Sequence, residues 1–274
     1  MSREVKSVFL TGAASGIGRH LALRLIDEGH RVFCTDIDHG GLLEWVEAEA
    51  PGGGYVATAK LDVRQPLDWK RALEEAWTSF GGVDVVMNIA GYLRPGYVET
   101  LTPAEVDMHL DVNVKGVMFG TQAAAVRMVE AGKGHIINMG SLASLSPVPG
   151  LSLYAASKFA VRGYTLSVAE ELRPRGIAVS LVLLDAVQTP MLDLQAEYEE
   201  AALTFSGARP LSLEEVGDLF VKEVLPRRPL EVTLPKTRGL IARLAGAAPE
   251  ITRIAGPVLR RRGLRAQKSY EKKG

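Results

Sequence analysis

Short apolar runs alternate with longer segments of helical period along most of the chain, and this alternation restricts the fold more than any other feature. The pattern is typical of β–α units arranged on a parallel sheet. It predicts strands at residues 7–11, 31–36, 54–62, 83–88, 135–141, 177–184 and 231–234. It predicts helices at residues 16–28, 41–50, 66–80, 103–130, 154–173 and 213–225. We therefore expect an α/β protein with a parallel sheet.

No repeat or low-complexity linker interrupts this pattern, so the sequence predicts one domain over residues 1–235 and an extension over residues 236–274. Lys plus Arg and Asp plus Glu both total 32, which gives no reason to expect a nucleic-acid partner. The single cysteine, Cys34, fits a reducing cytoplasm. The first residues lack a signal-peptide core, and no stretch of about 20 residues is free of charge, so no spanning helix is expected.

The first predicted strand leads through a glycine-rich turn, TGAASGIG, into the first helix. Gly12 permits a tight turn, Gly16 lets the backbone approach a pyrophosphate, and Gly18 permits close helix packing. The free N–H groups and positive dipole end of the helix favour phosphate binding. The position between strand and helix makes this turn a candidate dinucleotide site. Its candidate cofactor residues are Gly12, Ser15, Gly16, Ile17 and Gly18.

Asp36 ends the second predicted strand, 18 residues after Gly18, where a carboxylate can accept hydrogen bonds from the adenosine ribose. The same carboxylate would repel a 2′-phosphate, and neither Ser15 nor Ile37 supplies a cation to neutralise one. The sequence therefore favours NAD over NADP. Further candidates for cofactor contacts lie at the ends of the next two strands: Asp62, Val63, Asn88, Ala90 and Gly91.

Tyr154 and Lys158 are four residues apart, which places both side chains on one face of a helix. A free tyrosine has a pKa of about 10, and a nearby ammonium, helped by the positive nicotinamide of an oxidised cofactor, would lower it. Ser141 ends the fifth predicted strand and could hydrogen-bond a substrate oxygen beside the phenol. Asn113 lies within a predicted helix, where an amide side chain needs a partner or a solvent face.

Taken together and in this order, these residues resemble the single-domain branch of the short-chain dehydrogenase/reductase family. The resemblance covers roughly residues 5–235 and is carried by TGAASGIG, Asp36, Asp62-Val63, NIAG at 88–91, Asn113, Ser141 and YAASK at 154–158. It implies a Rossmann-like, doubly wound sheet of seven parallel strands with helices on both faces. It also implies an oxidoreductase that interconverts an alcohol and a ketone or aldehyde by hydride transfer.

The resemblance assigns a role to each residue of the catalytic set. Tyr154 would be the general acid/base, and Lys158 would bind the nicotinamide ribose and lower the pKa of the tyrosine. Ser141 would position and polarise the carbonyl. Asn113 would hold a water molecule that links Lys158 to a proton relay. Tyr154 and Lys158 thus also count among the cofactor-binding residues.

The chain departs from the family pattern at two places. Ile89 stands where relatives usually have the second Asn of Asn-Asn-Ala-Gly, and Asp185-Ala186 stands where relatives commonly have Pro-Gly, beside the nicotinamide. Asp185 either hydrogen-bonds a polar substrate group or is a solvent-facing turn residue. Thr189 is retained and is expected to bond the nicotinamide amide, and Val187 is a further candidate cofactor residue.

Three segments are expected to line the substrate side: residues 92–97, 142–153 and 190–205, the last of which is often a mobile lid in this family. An apolar pocket would favour a lipophilic alcohol or ketone, such as a steroid, a retinoid or a long-chain lipid. A small polar substrate and ordinary loop packing are the alternatives. The apolar side chains of these segments are Tyr92, Leu93, Leu142, Leu145, Val148, Leu151, Met191, Leu192 and Leu194.

The C-terminal extension is basic, because residues 227–274 contain 13 Lys or Arg and 3 Asp or Glu, a net charge of +10. Pro249 and Pro257 are expected to break it into short helices. It either lies on an anionic membrane surface or packs over the substrate cleft or a neighbouring subunit, and the prolines favour packing. Roughly helical spacing relates its apolar residues Leu240, Leu244, Ile251, Ile254, Val258 and Leu259.

Two other classes of function are weighed against this interpretation. A catalytically silent NAD sensor or scaffold would be expected to lack the Tyr or the Lys, and epimerases or dehydratases of nucleotide sugars usually carry a longer substrate domain. No metal is expected, because His20, His30, His39, His109 and His135 show no ligand spacing. The resemblance further implies a homodimer or homotetramer formed through the helices at 103–130 and 154–173. We expect a cytoplasmic enzyme, with association to a membrane surface left open by the extension.

Overall fold

Parallel strands form the centre of the computed structural model, which describes residues 5–50 and 56–271, apart from the side chain of Ile251. The strands are β1 (Ser7–Thr11), β2 (Arg31–Asp36), β3 (Val56–Lys60), β4 (Val85–Asn88), β5 (Gly134–Met139), β6 (Ile177–Leu184) and β7 (Glu231–Leu234). They form one seven-stranded sheet in the order β3-β2-β1-β4-β5-β6-β7, and every adjacent pair is parallel. The strand order reverses between β1 and β4, which is where α/β sheets of this kind bind ligands.

The connections between strands are mostly helical. The helices are α1 (Gly16–Asp27), α2 (His39–Glu49), α3 (Pro66–Phe80), α4 (Pro103–Leu110), α5 (Gly116–Ala131), α6 (Ser152–Leu172), α7 (Pro190–Ala196), α8 (Leu213–Leu219), α9 (Leu225–Arg227), α10 (Lys236–Ala247) and α11 (Pro249–Glu271). Short 3₁₀ turns lie at Leu142–Ser144, Arg173–Arg175 and Glu199–Ser206, and π-helical turns at Asp111–Lys115 and Phe220–Val224.

Alternating side chains of the central strands separate two apolar cores. In β1, Val8 and Leu10 pack with α1, α2 and α8 on one face of the sheet, whereas Phe9 packs with α3, α5 and α6 on the other. Phe9 stacks on Phe33 with ring centroids 5.6 Å apart, and it also contacts Trp69. Helices on both faces explain why β1, β4 and β5 are buried at every position rather than at alternate ones. The predicted fold class, a doubly wound Rossmann-like sheet of seven parallel strands, is confirmed.

Several predicted boundaries differ from the structure. The third strand begins at Val56 within the described residues and ends at Lys60, while residues 54 and 55 lie outside them. The fourth begins at Val85 rather than at residue 83. The fifth ends at Met139, so Ser141 does not lie within a strand. Its hydroxyl oxygen instead accepts a hydrogen bond from the backbone N–H of Ala143 and begins a 3₁₀ turn.

The helix predicted over residues 103–130 is interrupted by a π-helical turn. A capping box between Thr102 and Glu105 begins α4, as the sequence suggested. The π-helical turn Asp111–Lys115 then shifts the register before α5 begins, and it carries Asn113 into the protein interior. π-helical turns are frequently found at functional sites.

The C-terminal extension forms two helices instead of several short ones. Pro249 begins α11 as expected, but the prediction that Pro257 ends a helix is wrong, because Pro257 lies inside α11, which is 23 residues long. Tertiary contacts compensate for the hydrogen bond that Pro257 removes. The Nε2 atom of Gln267 lies 2.7–3.1 Å from three carbonyl oxygens of the segment 195–198. A boundary at residue 235 between domain and extension stays a prediction.

The extension packs on the body of the protein, as the second hypothesis for it expected. Gly246 touches the backbone of Leu145, and Gly263 touches that of Ala202, each so closely that a Cβ atom would overlap a carbonyl oxygen. The ring of Tyr270 lies 5.5 Å from that of Phe205. Over the described residues, none of the helices combines the length and apolar character that crossing a bilayer requires.

A buried histidine makes the stability of this fold depend on pH. His135 is 1% exposed in β5, and its Nε2 atom lies 2.8 Å from the hydroxyl of Ser180. Burial, followed by the positive charges of Arg228 and Lys6, lowers the pKa of His135 from 6.5 to about 3. The imidazole is therefore neutral in the native protein at every pH above that value.

We expect His135 to destabilise the protein as the pH falls from 6.5 toward 3. The unfolded chain gains a proton there that the native state does not bind, which costs up to about 1.4 kcal/mol per pH unit. In urea unfolding between pH 7 and 5, the variant His135→Asn should show a correspondingly weaker pH dependence than the wild type. Equal slopes for both proteins would contradict this.

Candidate active site

The glycine-rich turn after β1 brings the backbone against the segment that follows β4. Gly12 and Gly16 have positive φ angles, +72° and +52°, that favour glycine. A Cβ atom on Gly12 would lie 2.9 Å from the Cα of Ala90, and one on Gly18 would overlap the carbonyl oxygen of Gly12. Gly16 lies against the side chain of Thr189. Each of these glycines is thus required by a turn or by a close contact.

The N-terminus of α1 has the properties of a phosphate site. Ser15 is the N-cap residue, is exposed and makes no side-chain cap hydrogen bond, so the N–H groups of the first turn lack a capping side chain. Behind the turn, the indole Nε1 of Trp45 donates to the carbonyl oxygen of Ala13 at 3.0 Å. A cradle without side chains at a helix N-terminus fits the pyrophosphate of a dinucleotide. The chain therefore has residues suited to a nicotinamide dinucleotide.

Asp36 holds the same turn from the end of β2. Its Oδ2 atom accepts a hydrogen bond from the N–H of Ala14 at 2.9 Å, and its Oδ1 accepts one from Asp38 at 3.0 Å. Each carboxylate oxygen can accept a second hydrogen bond, and the side chain is only half-buried. The carboxylate can therefore brace the turn and still accept donors from a ribose.

Asp62 and Val63, which the sequence suggested as cofactor contacts, already form hydrogen bonds within the protein. The guanidinium of Arg64 donates to both carboxylate oxygens of Asp62 at 2.7–3.1 Å and holds the pKa of that carboxyl below its usual range. The carbonyl oxygen of Val63 accepts a hydrogen bond from the indole of Trp69 at 2.9 Å. Contacts between these two residues and an adenine remain a prediction.

The side chain of Asn88 points into the protein interior. Its Nδ2 donates to the side-chain oxygen of Asn138 at 2.7 Å, and Thr121 donates to that same oxygen at 3.2 Å. Asn138 in turn donates to Thr165 on α6 at 3.0 Å. The amide of Asn88 thus ties β4 to β5 and to the helices behind them, so a cofactor contact of this residue would involve its backbone.

Ala90 and Gly91 follow Asn88 and face the turn and the catalytic residues. The hydroxyl oxygen of Thr11 accepts hydrogen bonds from the N–H groups of Ile89 and Ala90 at 3.0 and 3.1 Å, which fixes the strand end next to Gly12. A Cβ on Gly91 would lie 3.5 Å from the side-chain oxygen of Asn113 and 4.0 Å from the ammonium of Lys158. Both distances correspond to ordinary van der Waals contact, so Gly91 lies next to both side chains without being required there by a clash.

Lys158 carries a charge into a fully enclosed position. The residue is 2% exposed, and its Nζ donates to the carbonyl oxygen of Met139 at 2.9 Å. The Nζ atom lies 5.6 Å from the centre of the Tyr154 ring. Burial lowers the pKa of Lys158 to about 8, so the side chain is still mainly protonated at neutral pH.

Burial shifts the pKa of Tyr154 in the direction opposite to the one expected. Desolvation raises it to about 12, and a hydrogen bond with Ser141 acts in the other direction. Lys158 is not among the groups that shift this pKa in the protein alone, and its ammonium donates to Met139. The expected lowering by Lys158 together with an oxidised nicotinamide stays a prediction. The phenol of Tyr154 is protonated at neutral pH and can act as a proton donor.

Asn113 positions the start of α6 as well as the loop after β4. Its Oδ1 accepts a hydrogen bond from the N–H of Tyr92 at 2.8 Å, and its Nδ2 donates to the carbonyl oxygen of Tyr92 and to the hydroxyl of Ser157. Ser157 then donates to the carbonyl oxygen of Tyr154 at 2.7 Å. These bonds connect Asn113 to Tyr154 through protein groups, and the predicted water molecule stays a prediction.

Tyr154, Lys158 and Ser141 line a cavity of about 790 Å³ together with Ile17, Gly91, Val187 and Thr189. Most of the predicted substrate side chains lie there too, namely Leu93, Leu142, Val148, Leu151, Met191 and Leu192. Tyr92, Leu145 and Leu194 are not part of its lining. The ring of Tyr92 packs on His109 at 4.9 Å, and Leu145 belongs to a buried core cluster. No group of three metal-ligating side chains lies together in the parts of the chain that the structure describes.

Comparison with known proteins agrees with this geometry. The family model for short chain dehydrogenases matches residues 6–200. A 3-alpha-(or 20-beta)-hydroxysteroid dehydrogenase of Mycobacterium tuberculosis is 41% identical over 190 residues, which cover 69% of this chain and 71% of the relative. A diacetyl reductase of Staphylococcus epidermidis is 36% identical over 190 residues, which cover 69% of this chain and 74% of the relative.

The chain belongs to the short-chain dehydrogenase family. Among solved structures, a family member from Burkholderia phymatum in complex with NAD superposes with a TM-score of 0.81 at 25% identity, over 92% of this chain and 96% of that one. A 3-ketoacyl-(acyl-carrier-protein) reductase of Brucella melitensis with NADH has a TM-score of 0.75 at 26% identity, over 85% and 99%. The chain is thus an oxidoreductase that acts on CH–OH groups with a nicotinamide cofactor.

The extension supplies the partner for the unusual Asp185 of this short-chain dehydrogenase. The Nε atom of Arg238, on α10, lies 2.5 Å from Oδ2 of Asp185, as a close ion pair without a well-aligned hydrogen bond. The side chain of Asp185 is 13% exposed, and its burial raises the pKa of the carboxyl against the effect of Arg238. The alternative of a solvent-facing turn residue is therefore wrong. Both residues line the cavity. A contact between Asp185 and a substrate there stays a prediction.

Sequence reasoning missed several residues that shape this site. Arg238 was not singled out, although a carboxylate in place of Pro-Gly next to an apolar strand end is a signal that a cation must lie near. Trp45 was also missed, and an indole on the buried side of a helix usually needs a hydrogen-bond acceptor. The network of Asn88, Asn138 and Thr121 gave no local signal, since its members are up to 50 residues apart.

We expect Asp185 and Arg238 to be energetically coupled. Asp185→Asn or Arg238→Met should each lower the free energy of unfolding by about 1–3 kcal/mol, since each leaves a partly buried charge without its partner. The double variant should lose less than the sum of the two. Urea unfolding of all four proteins gives the coupling.

Lys236→Gln serves as the matched control. Lys236 lies on α10, as Arg238 does, and its ion pair with Glu223 is more exposed to solvent. It should change the stability by no more than about 0.5 kcal/mol. Additive effects of the Asp185 and Arg238 substitutions would contradict the coupling. If Asp185 binds substrate instead, Asp185→Asn should raise KM while Arg238→Met leaves it unchanged.

Proposed function

We propose that this short-chain dehydrogenase interconverts a lipophilic alcohol and its ketone or aldehyde, with NAD as the preferred cofactor and Tyr154 as the proton-transfer residue. The observation that carries the proposal is the cavity of about 790 Å³, which joins Tyr154, Lys158 and Ser141 to a mainly apolar wall. A volume of this size suits a drug-sized molecule.

The composition of the cavity wall supports a lipophilic substrate. Leu142, Val148, Leu151 and Met191 come from the segments between the strands of the main domain, and the extension adds Leu259 and further apolar residues. One relative is named for the oxidation of hydroxysteroids, which fits such a wall, and another for the reduction of diacetyl, a much smaller molecule. The apolar character of the wall favours the first class, while the part of the cavity next to Val187 and Thr189 would hold the nicotinamide.

We propose that Tyr154 gives its proton to the carbonyl oxygen during reduction and takes the hydroxyl proton during oxidation. The nicotinamide cofactor, when bound, supplies or accepts the hydride at the carbon atom. Ser141, which hydrogen-bonds Tyr154, would donate to the same substrate oxygen and polarise the carbonyl. Lys158 would hold the nicotinamide ribose and keep a positive charge beside the phenol. Asn113 keeps α6, and with it Tyr154, in place.

The raised pKa of Tyr154 bears on the direction of the reaction. A phenol with a pKa of about 12 keeps its proton at neutral pH, so the proton that reduction requires is in place, whereas the phenolate that oxidation requires is scarce. Oxidation requires additional positive charge next to the phenol, which the nicotinamide of the oxidised cofactor can provide. The protein alone thus favours the protonated form, and the cofactor would set the balance between the two directions.

The cofactor would extend from Asp36 to Thr189 along the carboxyl ends of the strands. Gly12, Ser15, Gly16, Ile17 and Gly18 would hold the pyrophosphate, and Asp36 the adenosine ribose. Asp62, Val63 and the backbone of Asn88, Ala90 and Gly91 would flank the adenine and the second ribose, while Val187 and Thr189 would contact the nicotinamide. The negative charge of Asp36 is the reason for preferring NAD.

We further propose a homodimer or homotetramer in the cytoplasm. Leu110 on α4, Val126 on α5 and Phe159 on α6 are exposed apolar side chains on the helices expected to form the interface.

Cys34 is a buried free thiol, and burial raises its pKa to about 12, so it is unreactive in a reducing or an oxidising compartment.

We expect Tyr154→Phe to lower kcat by about 100-fold to 10,000-fold, because the variant lacks the transferable proton. Turnover is measured from the absorbance of reduced nicotinamide with a panel of steroid, retinoid and long-chain ketones. Tyr164→Phe is the matched control, since Tyr164 lies on the same helix with its hydroxyl 3.4 Å from the carbonyl oxygen of Met118. Full turnover by Tyr154→Phe with unchanged NADH affinity would refute the mechanism and leave room for a binding role.

We expect Asp36→Asn to shift cofactor preference toward NADP. The amide keeps an acceptor for the N–H of Ala14 but no longer repels a 2′-phosphate. The ratio of kcat/KM for NADH over that for NADPH should fall at least about tenfold, or about 1.4 kcal/mol. Asp38→Asn is the control, since Asp38 caps α2 instead. An unchanged ratio in Asp36→Asn would show that another residue selects the cofactor.

A further inference from the structure

Exposed apolar side chains are concentrated on the C-terminal extension. Six of the fifteen large apolar residues found exposed in the described chain lie between residues 240 and 259. Single exposed apolar residues are common on soluble proteins, but a cluster of this kind marks an interaction surface. We call these residues the apolar patch: Leu240, Ile241, Leu244, Ile254, Val258 and Leu259.

The outer face of α11 divides into an apolar half and a cationic half. Ile254, Val258, Arg261, Arg265 and Lys268 follow one another at spacings of four and three residues, so they form one stripe along the helix. All five are exposed, and Ile254 and Val258 are 81% and 67% exposed. The opposite side of the helix contacts the protein through Gly263 and Gln267. The stripe is therefore the face that the fold leaves free.

The charges of this cationic half are not compensated within the protein. Among the basic residues that the structure describes in the extension up to Glu271, five form ion pairs: Lys236, Arg238, Arg243, Arg253 and Arg260. Within the described residues, no acidic partner is found for Arg261, Arg262, Arg265 or Lys268. An apolar patch followed by four uncompensated cations is the pattern of a helix that lies on an anionic membrane surface.

The apolar patch also surrounds the opening of the cavity. Ile241, Leu244 and Leu259 line the cavity and are exposed at the same time. The cavity therefore reaches the protein surface between α10 and α11. Arg262, one of the uncompensated cations, lies at the same opening.

We propose that the apolar patch and the cationic half of α11 dock on the surface of an anionic lipid bilayer. The apolar side chains enter the boundary between headgroups and acyl chains, and Arg261, Arg265 and Lys268 contact lipid phosphates. In this orientation the cavity opens toward the bilayer. A direct passage of lipophilic substrate from the bilayer to Tyr154 rests on the proposed function, whereas the docking itself does not.

A second copy of the chain fits this surface less well. If two copies of α11 packed antiparallel about a two-fold axis near Arg261, the apolar residues of one would face Arg265 and Lys268 of the other, and the two Arg261 side chains would meet. A parallel arrangement would set each cation against itself. Both arrangements bring like charges together or bury cations on apolar groups, and an anionic bilayer does neither.

The test is co-sedimentation of the full-length protein with two kinds of vesicle, pure phosphatidylcholine and phosphatidylcholine with phosphatidylserine. We expect stronger binding to the phosphatidylserine vesicles and weaker binding as salt is raised. Arg261→Gln, Arg265→Gln and Lys268→Gln combined should lower the partition coefficient about 100-fold, at about fivefold for each charge. Ile254→Gln with Val258→Gln should lower it at least about tenfold.

Two variants serve as matched controls. Lys70→Gln, Arg173→Gln and Arg175→Gln combined make the same change in net charge at exposed positions away from the extension. Leu67→Gln removes an apolar side chain that is 79% exposed on α3. Both should bind the anionic vesicles as the wild type does. Circular dichroism checks that every variant is folded.

The proposal would be overturned if the wild type bound phosphatidylserine vesicles no more strongly than phosphatidylcholine vesicles. It would also be overturned if the control variants lost as much vesicle binding as the variants of the apolar patch and of the cations. Light scattering on the same proteins measures their oligomer size and so tests whether a second copy of the chain occupies this surface. If the wild type fails to bind vesicles and Ile254→Gln with Val258→Gln reduces its oligomer size, the patch belongs to a second copy. The assay contains no cofactor or substrate, so its outcome is independent of the proposed reaction.

Discussion

The close approach of two backbone segments at Gly12 and Ala90 is the contact on which the rest of the site depends. These segments leave β1 and β4, the two strands between which the strand order reverses. A side chain at Gly12 would push them apart, and Thr11 further ties them by accepting hydrogen bonds from Ile89 and Ala90. On one side of this contact lies the turn for the pyrophosphate. On the other side Gly91 lies next to the side chains of Asn113 and Lys158.

Burial then shifts the pKa values of Lys158 and Tyr154 in opposite directions. The same desolvation that lowers the pKa of Lys158 to about 8 raises that of Tyr154 to about 12. Both shifts favour the neutral forms, because a charge of either sign is costly in an enclosed site. Lys158 keeps its proton at neutral pH since its shift begins from a high value and the carbonyl of Met139 accepts its hydrogen bond. A protonated phenol beside a cation results, and additional positive charge would be needed to turn it into a base.

Local signals in the sequence predicted the sheet and the glycine-rich turn, because each depends on neighbours a few residues away. The side chain of Asn88, the partner of Asp185 and the course of α11 depend on residues far along the chain, and none was predicted. Pro257 shows the reason most clearly. Its effect on a helix in isolation is unfavourable, but Gln267 and Gly263 hold the helix to the segment 195–206 and compensate for it. The direction of the Tyr154 pKa in the protein alone likewise depends on the folded surroundings, since burial raises it.

One side of the C-terminal extension contributes residues to the cavity, and its other side is exposed to solvent. Arg238 compensates the carboxylate that replaces the usual Pro-Gly, so the change at Asp185 and the presence of α10 belong to one arrangement. With the extension in place the carboxylate is largely buried, so its charge needs the cation that the extension brings. The ion pairs of the extension with the main domain therefore serve to hold it over the cavity. The cations at the end of α11 have no such role within the protein, and their charge is available to a partner outside it.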